Sequence, residues 1–227
     1  MPNIQVSLCF PVYNEEQTIT RVLDDTHKEI EAYGASYEIV VCIDGSTDRS
    51  PEFVRSAAQR IPNLRVLENE VRKGITYTFE RLYQEANGEF IFLNSADGQW
   101  PANIIRPMLD LSKDFDIVIA SRKQKYYSPF RKFVSWMFNA IPKYLFKVRT
   151  YDAGAAKLVK KEIIERFTII SRSPFAEAER IIRAVRAGYK VAEFPVETLP
   201  RSHGKARGVN LSLVLQSARD ALKLLFE

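Results

Sequence analysis

Residues 37–48, YEIVVCIDGSTD, carry the clearest structural signal in the chain. The apolar and β-branched run predicts a buried strand, and the short side chains that follow predict a tight turn beginning at Asp44. Gly45 would let the backbone approach a ligand closely, so the two carboxylates and two hydroxyls of the turn are candidates for ligand binding. In the alternative interpretation this is an ordinary strand-to-helix turn, in which Asp48 or Ser50 only caps the next helix.

Strand and helix signals alternate on both sides of this segment. Strands are predicted at residues 4–10, 37–43, 64–67, 90–93 and 117–120. Helices are predicted from apolar residues at three- and four-residue spacing after residue 18, and at residues 50–61, 75–86 and 101–112. This alternation predicts an α/β fold, with a mostly parallel sheet covered by helices on both faces. Ligands bind beyond the carboxyl ends of such strands, where Asp44 and Asp97 fall.

The composition fits one globular domain in a reducing compartment. The chain has 227 residues, of which 46% are hydrophobic. Its two cysteines, Cys9 and Cys42, lie in apolar runs, so we expect buried free thiols rather than a disulfide. Met1 leads directly into a predicted strand, so no secretory signal is expected.

Basic residues are concentrated late in the chain, within a net charge of +5. They suggest a partner that bears phosphate groups, although a solvated surface is the alternative, and no nucleic-acid recognition motif is present. Residues 122–150 mix these cations with aromatic side chains. The apolar stretch 133–146 is shorter than the roughly 20 residues that span a bilayer, so it suits a membrane interface or, alternatively, a core helix with a charged outer face.

The end of the chain returns to regular structure. A helix is predicted at residues 175–187 and a strand at 189–194. Residues 211–226 predict an amphipathic helix, because apolar residues recur there at helical spacing. These residues are Leu211, Val214, Leu215, Ala218, Leu222 and Leu225.

Four motifs together resemble the family 2 glycosyltransferases. They are PVYNEE at 11–16, VCIDGSTD at 41–48, RKG at 72–74 and FLNSADGQWP at 92–101. The later segments RAVRAGYKVAEFPV at 183–196 and RSHGKAR at 201–207 resemble the branch that acts on dolichyl and other polyprenyl phosphates. The resemblance covers nearly the whole chain. It implies a GT-A fold in a single domain over residues 1–227, with 1–121 binding the donor nucleotide, 122–210 binding the acceptor, and 211–227 forming the C-terminal amphipathic helix.

The resemblance also implies a donor site and a metal site. The residues that would contact the donor nucleotide are Pro11, Tyr13, Glu15, Asp44, Asp48, Lys73, Ser95 and Ala96. Asp97 and Gln99 would hold Mg²⁺ or Mn²⁺ against the donor diphosphate, whose departure builds negative charge. The chain departs from the family's Asp-x-Asp pattern, because Ser95 replaces the first aspartate. Three possibilities follow: weaker metal binding, a metal-independent enzyme that relies on arginines, or a protein that binds without turnover.

On the acceptor side, the resemblance implies that five residues bind the acceptor phosphate: Arg122, Arg131, Ser135, Arg201 and Arg207. Asp97, Arg122 and Arg201 would carry the catalysis. A phosphate acceptor is already anionic at neutral pH, so it needs little help from a general base.

The function predicted from these residues is an inverting hexosyltransferase. It would move a hexose from a GDP- or UDP-sugar to a polyprenyl phosphate. It would be a cytoplasmic, peripheral protein at the membrane face, bound to the membrane surface or to a membrane-anchored partner. Alternatives are transfer to a saccharide or other hydroxyl acceptor, and a non-catalytic sugar-nucleotide-binding protein with Ser95 in place of the aspartate.

Overall fold

A computed structural model describes residues 4–123, 140, 143–144, 146, 148, 155–200 and 211–226 of the chain. The strands are β1 Val6–Val12, β2 Tyr37–Asp44, β3 Leu64–Asn69, β4 Phe90–Leu93, β5 Ile117–Arg122, β6 Lys157–Lys160 and β7 Val191–Val196. The helices are α1 Ile19–Tyr33, α2 Ser50–Arg60, α3 Ile75–Glu85, α4 Ile105–Leu111, α5 Lys161–Arg166, α6 Ala176–Arg186 and α7 Leu211–Leu225. A short 3₁₀ helix, Ala102–Ile104, precedes α4.

The seven strands form one mixed sheet in the order β3-β2-β1-β4-β6-β5-β7. Strand β6 is antiparallel to both of its neighbours, β4 and β5, whereas every other pair is parallel. Every residue of β2 is buried, as expected for a central strand with helices on both faces. The predicted α/β fold with a mostly parallel sheet is therefore confirmed.

Side chains on successive residues of β1 and β2 enter two different cores. Leu8 and Ile39 pack with residues of α1, α2 and α4 on one face of the sheet. Cys9 and Cys42 pack with α3 on the other face. Both thiols are free and buried, as predicted, and burial raises the pKa of Cys42 to about 11.

The structure differs from the sequence prediction in several boundaries. Strand β1 continues to Val12, so Pro11 belongs to the strand and not to the loop after it. The helix predicted at residues 101–112 is divided between the 3₁₀ turn and α4. Strand β6 and helix α5 were not predicted, because the charged sequence of this region hides a strand whose first residue, Lys157, is buried.

Helix α7 is present where it was predicted, but its apolar stripe faces outward. Leu215, Leu222 and Leu225 are exposed, whereas the buried face contains Ser217, Asp220, Ala221 and Leu224. Within the described residues, no helix combines the length and the apolar character that a membrane crossing requires.

Candidate functional site

The loop after β1 is tied to the turn after β2 by reciprocal hydrogen bonds. The backbone N–H of Asn14 donates to Ser46 Oγ at 3.1 Å, and the N–H of Thr47 donates to Asn14 Oδ1 at 2.8 Å. Asn14 has a positive φ of 55°, which asparagine tolerates better than most residues. These bonds hold the backbone directly after Tyr13, one of the residues predicted to contact the nucleotide.

Asp48 and Ser50 continue this connection at the start of α2. The carboxylate of Asp48 accepts hydrogen bonds from the N–H of Ser50 at 3.0 Å and of Glu16 at 3.1 Å. The hydroxyl of Ser50 accepts the N–H of Glu15 at 2.8 Å. Asp48 therefore accepts the N–H of the first residue of α2, whereas the Ser50 hydroxyl bonds to the loop after β1 and does not cap the helix. The same contacts place Glu15 beside the β2 turn.

Asp44 lies almost fully buried at the end of β2 and organises the loop before α3. One carboxylate oxygen accepts hydrogen bonds from Asn69 Nδ2 at 2.9 Å and from Lys73 N–H at 2.8 Å, and the other accepts the N–H of Gly74 at 2.9 Å. Lys73 thus contacts Asp44 through its backbone. The role of Asp44 in binding the base remains a prediction.

Gly45 allows the loop before α3 to pack directly on the turn after β2. Its φ is +61°, and a Cβ atom built there would lie 2.4 Å from the backbone nitrogen of Arg72. Arg72 in turn places its guanidinium 4.2 Å from the centre of the Tyr13 ring. The sequence analysis selected Lys73 from this loop, but Arg72 makes the contact with the aromatic residue. The sequence feature that could have identified Arg72 is its ability, as an arginine, to stack on an aromatic ring such as that of Tyr13.

The loop after β4 contains the predicted metal ligands, and Ser95 of this loop hydrogen-bonds to one of them. Its hydroxyl donates to Asp97 Oδ1 at 2.6 Å, and the N–H of Gln99 donates to the same oxygen at 3.1 Å. Ala96 is buried, and its carbonyl accepts the hydroxyl of Thr18 at 2.7 Å. Thr18 was missed by the sequence analysis, and it connects the loop after β4 to the start of α1.

The geometry of Asp97 fits a divalent cation whose coordination shell is completed by oxygens of a bound ligand. Among the described residues, no group hydrogen-bonds to Asp97 Oδ2, so this oxygen is available while Oδ1 is held in place. No group of three or more His, Cys, Asp or Glu side chains suited to a metal occurs in the described part of the chain. Mg²⁺ commonly binds through one or two carboxylates together with phosphate and water, so a site with Asp97 and Gln99 fits when the diphosphate supplies further oxygens.

Arg122, at the end of β5, lies against the loop after β4. Its guanidinium is 4.6 Å from the centre of the ring of Trp100, which is only 4% exposed. The N–H of Leu199 donates to the Gln99 carbonyl at 2.8 Å, so the segment after β7 also reaches this loop. Trp100 belongs to the FLNSADGQWP motif at 92–101, but no role at the site was predicted for it.

The sheet topology brings the predicted donor residues to one edge. β1 lies between β2 and β4, with Ile43 opposite Val12 and Leu93 opposite Cys9. The acidic loops after β2 and β4 therefore flank the loop after β1. Because β1 lies between them, β2 and β4 are roughly 10 Å apart. Arg122 comes from the same side of the sheet, at the end of parallel strand β5. Arg131, Ser135, Arg201 and Arg207 lie outside the described residues.

Two buried carboxylates of α6 are held by fixed partners. Glu177 accepts hydrogen bonds from Lys157 Nζ at 2.8 Å and Tyr83 OH at 2.9 Å, and Arg180 lies over the Tyr83 ring. Glu179 accepts the N–H of Ser171 at 2.9 Å and Nε of Arg183 at 2.7 Å. Burial raises the pKa of both carboxyls, but these partners outweigh it and hold each pKa below its ordinary value.

The fold is that of an α/β protein with a mostly parallel sheet, and comparison with known proteins assigns it to the glycosyltransferase class. Residues 7–177 match the family described as Glycosyl transferase family 2. The chain belongs to this family.

Relatives in this family transfer sugars to polyprenyl phosphates, as their names state. The chain is 28% identical over 214 residues to an undecaprenyl-phosphate 4-deoxy-4-formamido-L-arabinose transferase of Edwardsiella ictaluri, covering 89% of this chain and 62% of the relative. It is 26% identical over 240 residues to a dolichyl-phosphate beta-glucosyltransferase of Trichomonas vaginalis, covering 98% of this chain and 73% of the relative. The chain therefore spans less than two thirds of the length of the first of these relatives.

Solved structures confirm the GT-A fold. Glucosyl-3-phosphoglycerate synthase from Mycobacterium tuberculosis superimposes with a TM-score of 0.76 at 16% identity, over 98% of this chain and 80% of that one. The mannosyltransferase PcManGT from Pyrobaculum calidifontis, solved with GDP-Man and Mn²⁺, gives a TM-score of 0.69 at 20% identity, over 97% of this chain and 65% of that one.

Proposed function

We propose that the chain transfers a hexose from a GDP- or UDP-sugar to a polyprenyl phosphate at the cytoplasmic face of a membrane, with inversion at the sugar carbon. The observation that carries this proposal is the flanking of the β1 loop by two acidic loops, with Arg122 held against one of them through Trp100. In this division of labour, residues 1–121 bind the donor, residues 122–210 bind the acceptor, and residues 211–227 form a C-terminal helix.

The donor nucleoside would lie over the β1 loop. Pro11, Tyr13 and Glu15 would line its pocket, with Asp44, Asp48 and Lys73 at the base end. The hydrogen bonds among these loops support this role, because they hold the binding surface in one conformation before the ligand arrives. The Arg72 guanidinium over Tyr13 adds a cation to the same pocket.

The diphosphate would lie over the loop of Ser95, Ala96, Asp97 and Gln99. Asp97 and Gln99 would hold Mg²⁺ or Mn²⁺ there, and the cation would supply positive charge to offset the charge that develops on the leaving diphosphate. Ser95 holds Asp97 through Oδ1, so Oδ2 would be the oxygen that binds the cation. Arg122, fixed by Trp100, would face the phosphates from the other side, and Arg201 would join it. Catalysis would therefore depend on Asp97, Arg122 and Arg201.

Two buried carboxylates of the acceptor half, Glu177 and Glu179, are poorly suited to act as the base that a hydroxyl acceptor would need. A hydroxyl acceptor needs a base to remove its proton, but Glu177 and Glu179 are ionised, buried and bound to fixed cations or N–H groups. An acceptor phosphate needs only cations to bind it. Arg131, Ser135 and Arg207, with Arg122 and Arg201, would provide that binding.

The test is a transfer assay with purified protein. Labelled GDP- and UDP-sugars are incubated with Mn²⁺ and either a polyprenyl phosphate or a panel of saccharides, and the lipid and aqueous products are separated. Label in the lipid phase, lost in Asp97→Asn, is expected. Label on a saccharide alone would replace the acceptor assignment, and nucleotide binding without any transfer would favour a non-catalytic binding protein.

A further inference from the structure

The outer face of helix α7 is apolar where a packed amphipathic helix would be polar. Leu215 is 55% exposed, Leu222 is 53% exposed and Phe226 is 86% exposed. The opposite face, which packs on the rest of the chain, contains Ser217, Asp220, Ala221 and Leu224, so α7 has apolar side chains on both faces. An amphipathic helix normally turns its apolar stripe toward the core, so this arrangement leaves the stripe for something outside the described part of the chain.

The exposed apolar residues form one continuous line along the helix. Leu215 and Leu222 are seven residues apart and Phe226 follows four residues later, spacings that place all three on one side of an α-helix. Leu225 is exposed beside this line. The 15 residues of α7 extend for roughly 22 Å at the usual rise per residue. The stripe is therefore long enough to lie flat on a surface.

Positive charge accompanies the stripe, and the one acid of α7 is turned away from it. Arg219 and Lys223 are exposed on the outer side. Asp220 is buried, and its carboxylate accepts hydrogen bonds from the N–H groups of Arg172 and Ser173 at 3.2 and 3.1 Å. Arg219 and Lys223 line a hollow of about 460 Å³ together with Arg172, Asp220 and the exposed Ile170.

We propose that this surface, formed by Leu215, Arg219, Leu222, Lys223, Leu225 and Phe226, docks onto an anionic lipid bilayer. The helix lies parallel to the membrane plane, with its apolar line in the headgroup–acyl boundary and its cations on the lipid phosphates. The choice of a bilayer rests in part on the proposed function, whose acceptor is embedded in one. That function does not indicate which surface of the chain contacts the membrane.

A second copy of the chain fits this surface less well than a bilayer. In a two-fold symmetric pair the same patch meets itself, which brings Arg219 and Lys223 of one copy near those of the other. The described residues of α7 offer no exposed carboxylate to balance them, because Asp220 points inward. An anionic bilayer satisfies both the apolar line and the cations.

The experiment measures vesicle binding by flotation, without any sugar nucleotide. Two vesicle types are used: phosphatidylcholine alone, and equal parts of phosphatidylcholine and phosphatidylglycerol. We expect binding to the mixed vesicles, with weaker binding to phosphatidylcholine. The double variant Leu222→Ser with Phe226→Ser should lower the partition coefficient roughly tenfold or more. Arg219→Gln with Lys223→Gln should lower it about fivefold per charge on mixed vesicles only, and high salt should remove this difference.

Tyr77→Ser is the matched control, because it removes an exposed aromatic side chain from α3 and leaves α7 unchanged. It should bind vesicles like the unmodified chain. Circular dichroism verifies that each variant is folded, which is expected because the changed side chains are exposed. Equal binding by the Leu222/Phe226 variant and the unmodified chain would overturn the proposal. So would a dimer in solution that this variant dissociates, without vesicle binding.

The same preparations separate this inference from the proposed function. Transfer to a short-chain, detergent-solubilised polyprenyl phosphate tests the chemistry without a bilayer. Transfer with no vesicle binding would overturn the docking surface alone, whereas vesicle binding with no transfer would overturn the proposed function alone.

Discussion

The guanidinium of Arg122 lies 4.6 Å from the centre of the Trp100 ring, which joins the end of β5 to the loop that follows β4. Trp100 stands three residues after Asp97 and is buried, so the ring cannot follow the arginine if it moves. A cation over an indole ring gains roughly 0.5–2 kcal/mol. The contact therefore fixes a positive charge against the loop that contains Asp97, the carboxylate proposed to hold the metal.

Replacement of Trp100 should reveal this positioning role. We expect Trp100→Leu to lower kcat/KM of the proposed transfer roughly fivefold more than Trp100→Phe, because only the aromatic ring retains a face for Arg122. The measurement is steady-state kinetics at saturating acceptor, with urea unfolding to correct for lost packing. Equal kcat/KM in the two variants would show that the ring acts only by filling space.

Restoring the missing carboxylate should strengthen metal binding. Ser95→Asp places a second acid beside Asp97, and added ligand charge increases affinity for divalent cations. We expect the Kd for Mn²⁺, measured calorimetrically in the presence of nucleoside diphosphate, to fall about tenfold or more. Ser95→Ala is the control, since it removes the hydrogen bond to Asp97 without adding charge. An unchanged Kd in Ser95→Asp would place the cation elsewhere.

Gly45 should tolerate no side chain. Gly45→Ala adds a Cβ 2.4 Å from the backbone nitrogen of Arg72 in a left-handed conformation, so the loop before α3 must move. We expect a loss of more than about 3 kcal/mol in the free energy of unfolding. Gly34→Ala is the matched control, because its φ is also positive at +81° but nothing lies within 4 Å, and it should lose only about 1 kcal/mol. Similar losses in both variants would contradict the close approach.

Lys157 should stabilise the fold mainly by pairing with the buried Glu177 carboxylate. Lys157→Met leaves the buried Glu177 carboxylate without its nearest cation, and we expect a loss of about 3–5 kcal/mol in the free energy of unfolding. Combining it with Glu177→Leu should recover part of that loss, because the uncompensated charge is removed. A double variant no more stable than Lys157→Met would contradict this explanation.

The pH dependence of the same variant follows from the sign of the pKa shift. In the unmodified chain Lys157 and Arg180 outweigh burial and lower the pKa of Glu177, so the stability it contributes is lost only as the pH falls through this lowered value. Without Lys157, burial raises this pKa relative to the unmodified chain. As the pH falls through the pKa of Glu177 in the variant, Lys157→Met should therefore gain stability relative to the unmodified chain, measured by urea unfolding.

The donor side of the fold was predictable because its signals are local. An apolar run followed by a polar turn marks a strand end wherever it occurs, and parallel strands bring such ends to one edge. Residues 37–48 and 92–101 therefore indicated both the sheet and the candidate site. The hydrogen bond from Ser95 to Asp97 was not predictable, because the spacing of two residues does not reveal the rotamer of a serine.

The rest depends on contacts between distant parts of the chain. Lys157 appears in a charged sequence that favours an exposed helix, yet it is buried because Glu177 and Tyr83 surround it. The orientation of α7 could not be predicted from the sequence pattern either, because helical spacing locates an apolar stripe but does not specify whether it faces the core. The inward side of α7 is fixed by Asp220 and the N–H groups of Arg172 and Ser173.

The antiparallel insertion of β6 has a consequence for synthesis of the chain. β1 to β4 pair with one another and can assemble as soon as they leave the ribosome, whereas among the described strands β5 has only β6 and β7 as neighbours. Residues 117–122 must therefore wait, as an apolar segment without a pairing partner, for at least 38 further residues, up to Lys160, to be translated. A nascent chain interrupted in this interval would expose an unpaired strand that can pair with other chains. Chaperone binding during translation would be concentrated there.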